Sequence, residues 1–107
     1  AALKATGSEI SFQHLNPGEG SAFLHSHKQH EELYIIVKGK GEYQVDGEVF
    51  PISEGSVIRV APDGMRALRN NGTEPMVMIC VQYKAGSFGK DDDIMTDGNI
   101  SDAPVKW

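Results

Sequence analysis

Turn-forming residues punctuate this chain so closely that long helices have little room. Asn16-Pro17-Gly18, Gly39-Lys40-Gly41, Asp46-Gly47, Glu54-Gly55, Pro62-Asp63-Gly64 and Asn71-Gly72 all occur by residue 72. Turn signals recurring about every eight to twelve residues are what a sandwich or barrel of short strands produces. Between them lie strand-like runs at residues 8–15, 21–27, 32–38, 42–45, 48–52, 56–61, 65–69 and 75–83. The run ELYIIVK at 32–38 is rich in β-branched and aromatic side chains, which suit a pleated surface. Asp46-Gly47, between two such runs, is the strongest hairpin dipeptide in the sequence. No segment keeps apolar residues at i, i+3, i+4 and i+7 over three turns, so almost no helix is expected.

The expectation is an all-β fold in one domain, residues 1–107, since 107 residues suffice for one small domain and not for two. The core spans about 8–84, and 85–107 reads as an acidic tail laid across the surface. Runs 33–37 and 76–81 are apolar on both alternating faces. Both sides of such strands must be covered, by a second sheet and by a partner subunit, so a homodimer is expected.

Ten basic against fifteen acidic residues give a net charge of −5, and no basic stripe runs through the chain, which argues against nucleic acid as a partner. The longest apolar run, 76–81, is too short to span a bilayer as a helix, so no membrane role is expected. Cys80 is the single cysteine. It can form neither an internal disulfide nor a thiolate zinc cage, and a reducing, cytoplasmic setting follows as the expectation.

Chemistry concentrates in HSHKQHEE, where His25, His27 and His30 fall within six residues and Glu31-Glu32 follow at once. On an extended chain His25 and His27, two apart, leave the same face. A turn at 28–31 brings the Glu32 carboxylate back beside the imidazoles. Two neutral imidazoles and one carboxylate suit divalent iron, manganese, nickel, cobalt or zinc. The plain alternative is a polar loop of solvated histidines.

The pattern His25-x-His27-(x)4-Glu32-(x)6-Gly39 resembles the first conserved motif of the cupins. Gly20, the turn Gly39-Lys40-Gly41 and Asp46-Gly47-Glu48 fit it, and Gly55, Pro62-x-Gly64 and Asn70 resemble the second motif. The resemblance covers roughly residues 8–84. It implies a double-stranded β-helix, the jelly-roll barrel, with a divalent metal at its mouth held by His25, His27 and Glu32 and acting on a small-molecule ligand by oxygenase, isomerase or lyase chemistry. The second family motif carries a histidine after the Pro-x-Gly unit with two residues between, and this chain has Ala67 there. Three outcomes stay open: His25, His27 and Glu32 ligate alone, His30 or Glu31 substitutes, or the barrel binds a ligand without a metal as a non-catalytic module or sensor.

With Ala67 inward, alternation puts Met65 and Arg69 on the same cavity-facing side, where Arg69 would suit an anionic substrate or else turn out to solvent. Tyr34 and Tyr43 line the same cavity, as hydroxyls over the metal or as packing, together with Met78 and Cys80. His14 reads as structural, and Asp91-Asp92-Asp93 as a solvated acidic run without the spacing of a calcium loop.

Overall fold

The computed structural model describes residues 3–107. Seven strands account for the barrel: β1 (Glu9–Leu15), β2 (His30–Lys38), β3 (Lys40–Val45), β4 (Glu48–Ser53), β5 (Val57–Val60), β6 (Arg66–Arg69) and β7 (Met76–Lys84). They form two antiparallel sheets, ordered β1-β7-β2-β5 and β4-β3-β6, packed face to face. This is the expected all-β jelly roll. Among the described residues helix is confined to a 3-10 turn at Lys90–Asp92 and a single turn, α1 (Ile94–Asp97). No helix among the described residues is long and apolar enough to cross a membrane.

Local chemistry fixes the corners. Asp46 and Gly47 both have positive φ, 50° and 85°, the twisted two-residue turn that joins β3 to β4. Gly39, at φ 86°, joins β2 to β3, and a Cβ there would stand 2.5 Å from the Pro75 carbonyl oxygen. Only glycine satisfies both demands.

The core lies between the sheets. Along β2 the side chains of Glu32, Tyr34 and Ile36 turn inward, and Met76, Met78 and Cys80 do so on β7. Tyr43 of β3 stands edge-on to Tyr34, with ring centroids 5.0 Å apart, and stacks on Phe50 at 5.8 Å. Aromatic pairs of this kind add about 0.5–1.5 kcal/mol each beyond the area they bury.

One expectation needs correction here. Residues 21–27 form no strand, although they run antiparallel to β6 through the bridges Gly20↔Arg69 and His25↔Arg66. Ala22, Phe23 and Leu24 are all exposed, so the stretch has no apolar face to bury. Residues 86–107 are exposed throughout, Ile100 and Trp107 included.

Candidate metal centre

Backbone pairing brings the histidines to the mouth of the barrel. His25 exchanges two hydrogen bonds with Arg66, its N–H donating to the Arg66 carbonyl at 3.1 Å and its carbonyl accepting from the Arg66 N–H at 2.9 Å. The His27 N–H donates to the Pro62 carbonyl at 2.7 Å. His25 and His27 are half-buried on one side while Ser26 between them is exposed. Glu32 reaches the same point from β2 and is 2% exposed. One ligand atom from each of His25, His27 and Glu32 lies within 4.8 Å of the others, and no other trio of potential ligands clusters in this way among the described residues.

His27 Nε2 is buried without a hydrogen-bond partner and faces Glu32 Oε2 at 3.4 Å. Donors about 2.1 Å from a shared tetrahedral ion stand roughly 3.4 Å apart, so the pair fits a common cation. The imidazoles of His25 and His27 meet edge to face, centroids 5.3 Å apart. Burial lowers the pKa of His25, with Arg66 and His27 adding to the effect against the pull of Glu32, and this keeps the imidazole neutral with a lone pair to offer.

The two oxygens of Glu32 have different duties. Oε1 accepts from the Tyr34 hydroxyl at 2.9 Å and from Arg66 Nη1 at 2.5 Å, while Oε2 faces His27 and accepts from Cys80 Sγ at 3.4 Å. Burial would raise the carboxyl pKa, but the hydrogen bonds from Tyr34, Arg66 and Cys80 outweigh it and hold the group below its ordinary value. Burial pushes the Tyr34 and Tyr43 hydroxyls well above the usual phenol range, and pushes the Cys80 thiol up to about 12. All three stay protonated at neutral pH, so the Tyr34 and Cys80 contacts donate toward the carboxylate.

Arg66 is the residue that sequence reasoning missed. It is fully buried, donating from Nε to the Gly64 carbonyl at 3.0 Å and from Nη2 to the carbonyls of Ala61 and Pro62 at 2.7 and 3.0 Å. The expected alternation in β6 was one residue out of step. Arg66, Leu68 and Asn70 point inward, while Met65 is exposed, Ala67 is half-buried and Arg69 pairs with Glu42 near the surface. Ala67 and Arg69 border a groove with Ser21 and Gln44, away from the cluster. Where β6 meets the histidines, the side chain is therefore a guanidinium and not the methyl of Ala67. Leu68 was the available signal: as the bulky apolar residue of β6 it belongs in the core, and its neighbours two away must share its face.

Neither possible substitute ligand joins the trio within 4.8 Å, although the His30 ring lies 6.1 Å from that of His27. Glu31 leaves β2 on the opposite face from Glu32 and accepts from Arg59 at 2.8 Å and from the Tyr83 hydroxyl at 2.5 Å. His30 is exposed and its Nδ1 lies 3.2 Å from Gln82 Oε1. Tyr34, Tyr43, Met78 and Cys80 are buried between the sheets, and Tyr43 Oη has no hydrogen-bond partner.

Sequence and fold comparisons agree with this fold. The family model for the cupin domain matches residues 11–82. A cupin protein from Bacteroides fragilis is 43% identical and superposes with a TM-score of 0.88 over 94% of this chain and 83% of its own. A protein of Thermotoga maritima described as a predicted oxalate decarboxylase is 25% identical, with a TM-score of 0.67 over 70% of this chain and 64% of its own. An uncharacterised protein of Methanocaldococcus jannaschii is 31% identical over 67 residues, 63% of this chain. The chain spans about half the length of that relative, 54%, and under a fifth of the alginate biosynthesis proteins it also matches, 18%.

Proposed function

The chain belongs to the cupin family, and from that starting point we propose that it binds one divalent metal ion through His25, His27 and Glu32 and uses it on a small organic ligand. The observation that carries the reading is His27 Nε2, a buried nitrogen with no hydrogen bond, aimed at an oxygen of Glu32. An orphaned buried donor or acceptor costs about 1–3 kcal/mol, and coordination removes that cost. Three protein ligands leave positions open for water and ligand, and the donor set suits iron, manganese, nickel, cobalt or zinc. When bound, such an ion supplies Lewis acidity toward a ligand oxygen, the basis of isomerase and lyase chemistry, or, if it is redox-active iron, the electron transfer that oxygenase chemistry needs. The chain's own part is to orient. Arg66 and Tyr34 fix one oxygen of Glu32 so that the other faces the histidines. The description of the Thermotoga protein supports a small carboxylic acid as the ligand.

One observation favours a second reading, a barrel that binds its ligand without a metal and without turnover: Arg66 already gives Glu32 a cationic partner. Chelation separates the two. Under the first reading, treatment with a chelator abolishes binding of small carboxylic acids, scored by thermal shift, and one equivalent of metal restores it. Ligand binding that survives chelation unchanged refutes the metal-dependent reading in favour of the second.

A further inference from the structure

Arg66 changes what this cluster can hold. Metal-ligating imidazoles are neutral, so the formal charge at the cluster is that of Glu32 and Arg66 together, which is zero. With a neutral or acidic side chain in place of Arg66, the carboxylate would offset half the charge of a divalent ion. Here that offset is already taken, and Arg66 is locked in place by four hydrogen bonds, to Glu32 and to the carbonyls of Gly64, Ala61 and Pro62. A second cationic group, Lys28, borders the open hollow beside His27 together with Ser26, Gln29 and His30. Nearby Glu31 does not redress the balance, since it is spent on Arg59 across the sheet.

We propose that the site takes its metal together with a small oxyanion, a carboxylate or a phosphate, and that Arg66 imposes this requirement. The inference rests on the metal-binding reading above and adds to it the class of co-ligand. The oxyanion would occupy positions that His25, His27 and Glu32 leave open. Its charge replaces the one that Arg66 withdraws from Glu32. Coupling is reciprocal by thermodynamic necessity, so metal and anion tighten each other by the same factor.

The test uses the full chain and Co2+ supplied as perchlorate in a non-coordinating buffer, followed by visible absorption, with no anion, with acetate, and with inorganic phosphate. Either oxyanion should lower the apparent Kd for Co2+ about ten-fold or more, within the usual range for coupled sites, and should shift the absorption bands. Comparison of acetate with phosphate identifies which oxyanion the site prefers. Arg66→Lys keeps the positive charge and should keep the anion dependence, whereas Arg66→Gln removes the charge without adding an imidazole ligand and should abolish it. Co2+ binding of equal affinity with and without oxyanion overturns this inference and leaves the metal site standing. Failure to bind Co2+ under every condition overturns both.

Discussion

Glu32 and Arg66 meet between the two sheets, guanidinium Nη1 2.5 Å from carboxylate Oε1, with both side chains almost wholly buried. The carboxylate comes from β2 in the four-stranded sheet and the guanidinium from β6 in the three-stranded one, so the pair ties the layers together at the barrel mouth. One contact thus serves the fold and the candidate metal centre at once.

Breaking that pair from one side should be costly. Glu32→Gln leaves a buried guanidinium without its counter-charge, and such losses run to about 3–5 kcal/mol. Glu31→Gln removes a carboxylate whose partner Arg59 is largely exposed, and should cost far less. Urea unfolding of the two variants measures the difference, and equal stabilities would contradict the account. Metal affinity should follow the same order, weakened more by Glu32→Gln than by Glu31→Gln.

A fourth metal ligand can be added at one position of β6 and not at its neighbour. Arg66→His places an imidazole where the guanidinium now faces His25, His27 and Glu32, and should tighten metal binding about ten-fold or more, from the several kcal/mol a ligand contributes. Ala67→His points into the groove beside Ser21 and Gln44 and should leave affinity unchanged. Calorimetric titration of both variants decides, and the opposite ranking would refute the register of β6.

How much of this was legible in the sequence depends on the range of each signal. His25, His27 and Glu32 were readable because a two-residue step and a short turn set their meeting locally. The β3–β4 hairpin was readable for the same reason, since Asp46-Gly47 carries its own turn geometry. Arg66 was hidden because parity along a four-residue strand depends on which residue the opposite sheet accepts, and a one-residue slip turns every side chain over. Residues 21–27 were misread because they take their extended course from β6 and show no alternation of their own.

Cys80 should be inert in the folded protein. The residue is 2% exposed and its thiol pKa is pushed up to about 12 by burial and by Glu32, while the thiolate is the form that reacts. Because the shift is upward, alkylation by iodoacetamide at pH 8 should be negligible in buffer and rapid in denaturing urea. Comparable rates in the two conditions would show that the thiol is reachable from solvent.

The outward face of the four-stranded sheet should join two copies of the chain. Phe12, Ile79, Ile35 and Val57 lie opposite one another across all four strands, and Phe12 and Val57 are 73% and 61% exposed. An apolar row of this kind is self-complementary about a two-fold axis. Sedimentation at micromolar concentration should report a dimer, and Phe12→Lys should shift it to monomer. A strictly monomeric parent protein would contradict the prediction.

Elemental analysis decides whether His25, His27 and Glu32 hold a metal ion. The purified chain, loaded anaerobically in turn with ferrous iron, manganese and zinc in the presence of acetate and desalted into the same acetate buffer, should retain close to one ion per chain with at least one of them. His27→Ala should lose that ion while keeping a cooperative unfolding transition. No stoichiometric metal with any of the three, or retention undiminished in His27→Ala, would contradict the metal-binding reading.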